Sequence, residues 1–124
     1  MSEPTKTILL VEDDEFYLSL IKEWLQTPDN TVLTTHDGHE ALSICQNQVV
    51  DLIITDVFMP GMDGIELIKK IRLHHPTILI LAISGKSRKL DFMKAAAKFG
   101  ATTTIQKPLD KAFFTSTVHK MLNP

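Results

Sequence analysis

Short apolar runs alternate with longer amphipathic stretches along the chain, five of each. The apolar runs predict β-strands over residues 7–11, 31–35, 51–55, 78–83 and 102–105. The stretches between and after them carry apolar residues at helical spacing and predict helices over residues 15–26, 38–47, 64–74, 87–99 and 110–122. Because parallel strands are joined by right-handed crossover helices, this alternation predicts a doubly wound α/β sandwich around one parallel sheet.

The composition of each run predicts where its strand lies in the sheet. The run at 78–83 is apolar throughout and the run at 51–55 is apolar at its centre, as expected for central strands that helices cover on both faces. The runs at 31–35 and 102–105 are rich in Thr and suit the two edges. The alternation alone does not distinguish one strand order from another.

Residues that begin and end helices support the predicted boundaries. Asp37 and Asp63 each precede a predicted helix and have a Glu three residues on, a pattern typical of the capping box. Asp110 is placed to cap the last helix. Gly100 follows a predicted helix end at Phe99, where a left-handed residue is expected.

The composition predicts a single cytoplasmic domain over residues 1–124. Of these residues 44% are hydrophobic and 23% are charged, which is ordinary for a globular chain with a sizeable core. One cysteine excludes an internal disulfide and fits a reducing compartment. No apolar stretch approaches the ~20 residues of a membrane helix, and the N-terminus lacks the architecture of a signal peptide.

Charge is distributed unevenly between the two halves of the chain. Residues 1–66 contain 13 acidic and 2 basic side chains, whereas residues 67–124 contain 2 acidic and 11 basic ones. One interpretation is complementary solvated surfaces; the other is an acidic pole for a cation and a basic face for an acidic partner. No signature of direct nucleic-acid binding is present.

Polar side chains follow four of the five predicted strands. Glu12 and Asp13 end the first strand, Asp56 the third, Ser84 the fourth and Lys107 the fifth. The carboxyl ends of parallel strands meet at one edge of the sheet, where ligands bind in open α/β folds. Carboxylates held together repel unless a cation neutralises them, and oxygen ligands without Cys or paired His favour Mg²⁺ or Mn²⁺ over Zn²⁺. The pattern predicts a cation site, and with it phosphate chemistry.

Each of these residues also has a simpler structural explanation. Asp13 could cap the first helix, Asp56 could begin a turn, Ser84 could begin another, and Lys107 could be an exposed lysine. Asp14, however, can cap the first helix itself, which leaves Asp13 without that role. The joint placement of all these residues at one edge favours the site.

The residues around this edge resemble those of a response-regulator receiver domain over essentially the whole chain. The acidic-pair strand matches at Ile8–Asp14, and the start of the second helix matches at Asp37–Leu42. The phosphoacceptor strand with its loop matches at Asp51–Gly64, and the hydroxyl position matches at Ser84–Gly85. The fifth-strand signature matches at Gly100–Ala101 together with Lys107–Pro108. The resemblance implies a (βα)5 flavodoxin-like fold with strand order 2-1-3-4-5.

The resemblance also implies a role for each site residue. Asp56 is the residue that would accept a phosphoryl group from a phosphohistidine donor. Asp13 and Asp56 would bind Mg²⁺ directly, together with the backbone carbonyl of Phe58, and Glu12 would act through water.

Two further roles concern the phosphoryl group and the response to it. Lys107 and Ser84 would each bind one of its oxygens, Gly85 would leave room for it, and the Lys107–Pro108 peptide is expected to be cis. The conformational change that follows phosphorylation would reach the face formed by the fourth helix, the fifth strand and the fifth helix. Receivers commonly have Tyr or Phe where this chain has Thr104, so we expect loop and helix movement rather than an aromatic switch.

The implied partners are a sensor histidine kinase or phosphotransfer protein and an unidentified downstream protein or output domain. Whether phosphorylation also causes dimerisation stays open. An alternative is the receiver segment of a longer transcriptional regulator, and the sequence does not decide between this and a stand-alone receiver. A Mg²⁺-dependent aspartyl phosphatase is a weaker alternative, because such enzymes have an acid two residues after the nucleophile and this chain has Phe58. We therefore expect a signalling protein rather than an enzyme, with at most slow hydrolysis of its own phosphoryl group.

Overall fold

The computed structural model describes residues 5–57, 62–85 and 89–124. Its five strands are β1 (Lys6–Val11), β2 (Asn30–Thr35), β3 (Leu52–Asp56), β4 (Leu79–Ser84) and β5 (Thr103–Gln106). Its five helices are α1 (Glu15–Leu25), α2 (Gly38–Asn47), α3 (Gly64–His74), α4 (Lys89–Phe99) and α5 (Lys111–Leu122). The predicted bounds agree to within two residues, and residues 87 and 88 of the fourth predicted helix lie outside the described residues.

The strands form one parallel sheet in the order β2-β1-β3-β4-β5. This confirms the doubly wound fold, the strand order and the placement of the Thr-rich strands at the edges. Leu9 of β1 is aligned with Leu33 of β2 on one side and Ile53 of β3 on the other. Strands β3 and β4 are buried almost throughout, as predicted from their composition.

Alternate residues of each central strand enter two separate layers of the core, since side chains of a strand alternate between its faces. Leu9 and Ile53 pack on the face covered by α2, α3 and α4, together with Ile68 of α3. Ile8 and Ile54 pack on the other face, where α1 and α5 lie. The helices therefore hold the sheet between two apolar layers, which leaves its edge at the carboxyl strand ends for polar residues.

Aspartates cap four of the helices. Asp37 Oδ1 accepts a hydrogen bond from the amide of His39, and Asp63 Oδ1 accepts one from Glu66. Asp14 caps α1, Asp110 caps α5, and Gly100 ends α4 with a φ of +129°, each at the position that the sequence predicts. These interactions satisfy amides that have no partner within the helix, and they set where each helix begins.

Arg72 joins three elements at the edge opposite the polar strand ends. Its guanidinium donates to the carbonyl oxygens of Gly100 at 2.6 Å, Ile78 at 2.7 Å and Pro76 at 2.9 Å. The end of α3 is thereby tied to the turn after α4 and to the chain entering β4. Within the described residues, no helix is both long and apolar enough to cross a membrane.

Candidate functional site

Three carboxylates meet at the carboxyl ends of β1 and β3. Glu12 directly follows β1, where its amide donates to Thr35 O at 3.1 Å, and its side chain is 1% exposed. Asp56 is the last residue of β3 and is also buried, whereas Asp13 is exposed. One oxygen from each of Glu12, Asp13 and Asp56 lies within 4.8 Å of the other two. The structure thus brings together the acids that the strand-end pattern singled out.

Lys107 reaches into this cluster from the end of β5. Its Nζ donates to Glu12 Oε1 at 3.0 Å and to Asp56 Oδ2 at 3.2 Å, and its side chain is only 12% exposed. Its amide donates to Ser84 O at 2.8 Å, and the Lys107–Pro108 peptide is cis, as expected. The lysine therefore places a compensating positive charge beside the two buried carboxylates.

The charges of the cluster are not balanced by one lysine. Burial, and then the negative charge of Asp56, raise the pKa of Glu12 to about 7, although Lys107 opposes the shift. Burial alone would lower the pKa of Lys107, but its hydrogen bonds and charge pairing with Glu12 and Asp56 outweigh burial and raise it. A further positive charge would relieve the repulsion that remains between the carboxylates.

The chemistry of these donors fits a hard divalent cation. The cluster consists of carboxylate oxygens that can converge on one ion, which is the ligand type that Mg²⁺ and Mn²⁺ prefer. Cys45 is buried in α2 among apolar neighbours, and burial raises the pKa of its thiol to about 11. That thiol is therefore not a competing ligand.

Ser84 lies beside Asp56 at the end of the neighbouring strand. The register pairs Asp56 with Ile83, and the amide of Val57 donates to Ile83 O at 2.9 Å. Ser84 is fully buried, and its Oγ is 3.4 Å from Gly85 O, the long limit of a hydrogen bond. A Cβ at Gly85 would meet no described atom within 4 Å.

Phe58, whose carbonyl the resemblance implies as a metal ligand, lies outside the described residues. Two site features were not predicted from the sequence. The ring of Tyr17 lies over Lys107, with its centroid 4.1 Å from Nζ. Gly64, at the start of α3, packs against the end of β3: a Cβ there would lie 2.6 Å from Val57 Cα and closer still to Asp56 O. The Asp63-Gly64 pair signalled a helix start, but no sequence pattern pointed to either contact.

The fold and this strand-end site define a flavodoxin-like α/β domain with an acidic cluster and a largely buried lysine, Lys107. Comparison with known families agrees, since the family described as "Response regulator receiver domain" matches residues 8–119. The chain therefore belongs to the response regulator receiver domain family and is a receiver domain of two-component signalling.

Curated relatives are longer than this chain. It is 37% identical over 103 residues to "Transcriptional regulatory protein CpxR" of Klebsiella pneumoniae, covering 83% of this chain and 43% of that protein. It is 32% identical over 111 residues to "Regulator of RpoS" of Escherichia coli, covering 88% of this chain and 33% of that protein. The chain thus spans less than half the length of these relatives.

Solved structures of receivers superpose closely on this one. A response regulator receiver domain protein from Clostridium thermocellum has a TM-score of 0.87 at 28% identity, covering 95% of this chain and 94% of that one. The chemotaxis protein CheY4 of Vibrio cholerae has a TM-score of 0.86 at 28% identity, covering 95% of this chain and 99% of that one.

Proposed function

We propose that Asp56 is the phosphoacceptor of this receiver. The observation that carries the proposal is the position of its carboxylate, which ends β3, contacts Lys107 and lies beside Glu12 and Asp13. In the reaction, an Asp56 oxygen attacks the phosphorus of a phosphohistidine. The P–N bond breaks, its electron pair returns to the imidazole nitrogen, and an acyl phosphate forms on Asp56.

The neighbouring side chains would stabilise this transfer. Lys107, which contacts Asp56, would donate to a phosphoryl oxygen, and Ser84, at the adjacent strand end, would donate to another. Asp13 and Asp56 would hold Mg²⁺ or Mn²⁺, with Glu12 acting through water and the Phe58 carbonyl completing the set that the resemblance implies. A bound cation would neutralise charge on the carboxylates and on the transferring group.

The chain acts in this proposal as a signalling protein with at most slow hydrolysis of its own acyl phosphate. An aspartyl phosphatase would have an acid two residues after the nucleophile, where this chain has Phe58. A relative from Thermotoga maritima is named "Cyclic di-GMP phosphodiesterase", but this chain covers only 27% of that protein. Its name gives no reason to assign turnover to the receiver segment.

The proposed partners follow from the same chemistry. A sensor histidine kinase or phosphotransfer protein would donate the phosphoryl group, and a downstream protein or an output domain would respond to it. We propose that residues 1–124 form one receiver domain and that α4, β5 and α5 form its output face. Relatives named as transcriptional regulatory proteins favour an output in gene regulation. The receiver itself is not proposed to bind nucleic acid.

Intact mass spectrometry with acetyl phosphate and Mg²⁺ tests the phosphoacceptor assignment. We expect wild-type protein to gain one phosphoryl group that is stable in acid and labile in base, and Asp56→Asn to gain none. Asp37→Asn is the matched control, since Asn also caps helices well and Asp37, which caps α2, is not one of the three clustered acids. Normal labelling of Asp56→Asn would overturn the assignment. A wild-type protein that binds Mg²⁺ but takes up no phosphoryl group would favour a binding platform instead.

A further inference from the structure

Tyr17 places an aromatic ring against the lysine of the site. Tyr17 is the third residue of α1, and its amide lies 3.4 Å from Asp14 Oδ1 at the helix cap. The ring is half-buried, and the edge-to-face contact with Phe16 has a centroid distance of 5.5 Å. The ring of Tyr17 extends from α1 and lies over Lys107 Nζ.

The ammonium of Lys107 is enclosed on several sides. Two of its N–H groups are directed at Glu12 and Asp56, and the face of the Tyr17 ring lies 4.1 Å away. An aromatic face attracts a cation through its quadrupole, and more strongly where water is excluded. Lys107 is on a long flexible stem, so the ring restricts its position in addition to the two ion pairs.

We infer that Tyr17 is the positioning residue for Lys107, holding the ammonium beside Asp56 so that it is in place when a phosphoryl group arrives. The inference rests on the proposed function of Asp56 and deepens it. The ring forms and breaks no bond; it acts only through the position of Lys107. It contacts none of the three clustered carboxylates through a described interaction, so cation binding by those oxygens should not depend on it.

The test compares three variants of the full chain. Tyr17→Leu removes the aromatic face, Tyr17→Phe keeps it, and Phe113→Leu removes an exposed ring at the start of α5 as a matched control. At saturating Mg²⁺, we expect Tyr17→Leu to slow labelling by acetyl phosphate roughly three- to tenfold. Tyr17→Phe and Phe113→Leu should label within about twofold of wild type. Calorimetry without a phosphodonor should show Mg²⁺ affinity unchanged in all three.

Each alternative result has a distinct meaning. Labelling of Tyr17→Leu at the wild-type rate overturns the inference, and so does an equal loss in Tyr17→Phe, since the ring is then not the cause. A loss of Mg²⁺ affinity in proportion to the rate also overturns it, because the role is then merely structural. The proposed function fails separately, through absence of labelling in wild type or its persistence in Asp56→Asn.

A measurement on wild-type protein keeps the inference testable if Tyr17→Leu does not fold. The ε-methylene protons of Lys107 should show an upfield ring-current shift in the ¹H–¹³C spectrum, retained in Tyr17→Phe. A random-coil shift for these protons in the folded protein would overturn the inference.

Discussion

Glu12 is the side chain on which the electrostatics of the site depend most. It is almost fully buried beside Asp56, and Lys107 is its partner. Burial and the charge of Asp56 raise its pKa from 4.5 to about 7. The folded protein therefore keeps a proton on Glu12 at pH values where the unfolded chain has lost it.

Without divalent cations, Glu12 should make the free energy of unfolding fall as pH rises from about 4.5 to about 7. The sign follows because the native state binds more protons than the unfolded state over this range. The stabilising contribution of Glu12 is fully present below pH 4.5. Above that pH, the free energy of unfolding falls with a slope that approaches about 1.4 kcal/mol per pH unit. Urea unfolding in EDTA measures it as the difference between wild type and Glu12→Gln. Equal pH profiles for the two proteins would contradict the raised pKa.

Gly64 matters for a different reason, namely the space it leaves for the backbone next to Asp56. Gly64→Ala would push a methyl group against Asp56 O and Val57 Cα, atoms of the strand end itself. Alanine is a better helix residue by about 1 kcal/mol, but backbone cannot move aside as a side chain can. We expect a net loss of about 1–3 kcal/mol in stability and slower labelling of Asp56.

Chemical unfolding and acetyl phosphate labelling check the Gly64 prediction. Gly85→Ala serves as the stability control, because a Cβ at Gly85 meets no described atom within 4 Å. If Gly64→Ala is as stable as wild type, the contact between α3 and the end of β3 is looser than described.

At the scale of the elements, Arg72 connects the end of α3 to the start of β4 and the turn after α4. Its guanidinium donates hydrogen bonds to the carbonyl oxygens of Gly100, Pro76 and Ile78. Burial lowers the pKa of Arg72, but an arginine retains its charge at any ordinary pH. Backbone acceptors that lie outside regular hydrogen bonding are thereby satisfied by a single side chain.

Arg72→Met should destabilise the fold by about 2–3 kcal/mol, because it leaves the partly buried carbonyls of Gly100 and Ile78 without their donor. Lys70→Met is the control on the same helix. Lys70 is exposed, and its Nζ lies 3.7 Å from Glu66, a surface pair of small value. The two variants are compared by the urea concentration at the midpoint of unfolding, with the same dependence of the free energy of unfolding on urea concentration applied to both. A similar small change in both would show that water replaces the guanidinium.

At the scale of the whole molecule, β4 and β5 both end at the site, and β5 is also part of the proposed output face. Ser84 is aligned with Gln106, and the amide of Lys107 donates to Ser84 O. Thr104, half-buried on β5, is aligned with Ala82 of β4. Since no aromatic stands at Thr104, we propose that movement at the end of β4 carries the response to α4, β5 and α5.

Ser84→Ala should accept a phosphoryl group but lose the spectral change that follows it in β5 and α5. The reason is that, in the proposed function, the hydroxyl would link the phosphoryl group to the end of β4. Amide chemical shifts before and after labelling provide the measurement, and Thr104→Tyr, which should label normally, is the control. An unchanged response in Ser84→Ala would show that the signal leaves the site by another route.

The features of this protein that could be predicted from its sequence are those whose physical cause is local or follows from topology. The alternation of runs predicted the five strands and helices, and Asp37, Asp63 and Asp110 cap helices where expected. The strand-end rule also predicted the edge at which Glu12, Asp13 and Asp56 meet. These features depend on neighbouring residues in the chain, or on the fact that parallel strands end together.

Contacts between residues distant in sequence were decided only by the tertiary structure. Lys107 is 95 residues from Glu12 and 51 from Asp56, and Arg72 is 28 from Gly100. The ring of Tyr17 over Lys107 and the close approach of Gly64 to β3 have no periodic signature either. The chain by itself determined which elements form and which polar groups end the strands. The packing of α1 and α3 on the sheet decided which side chains are in contact at the site. The sequence does not give this packing directly, because it depends on the complementary shapes of elements that come from distant parts of the chain.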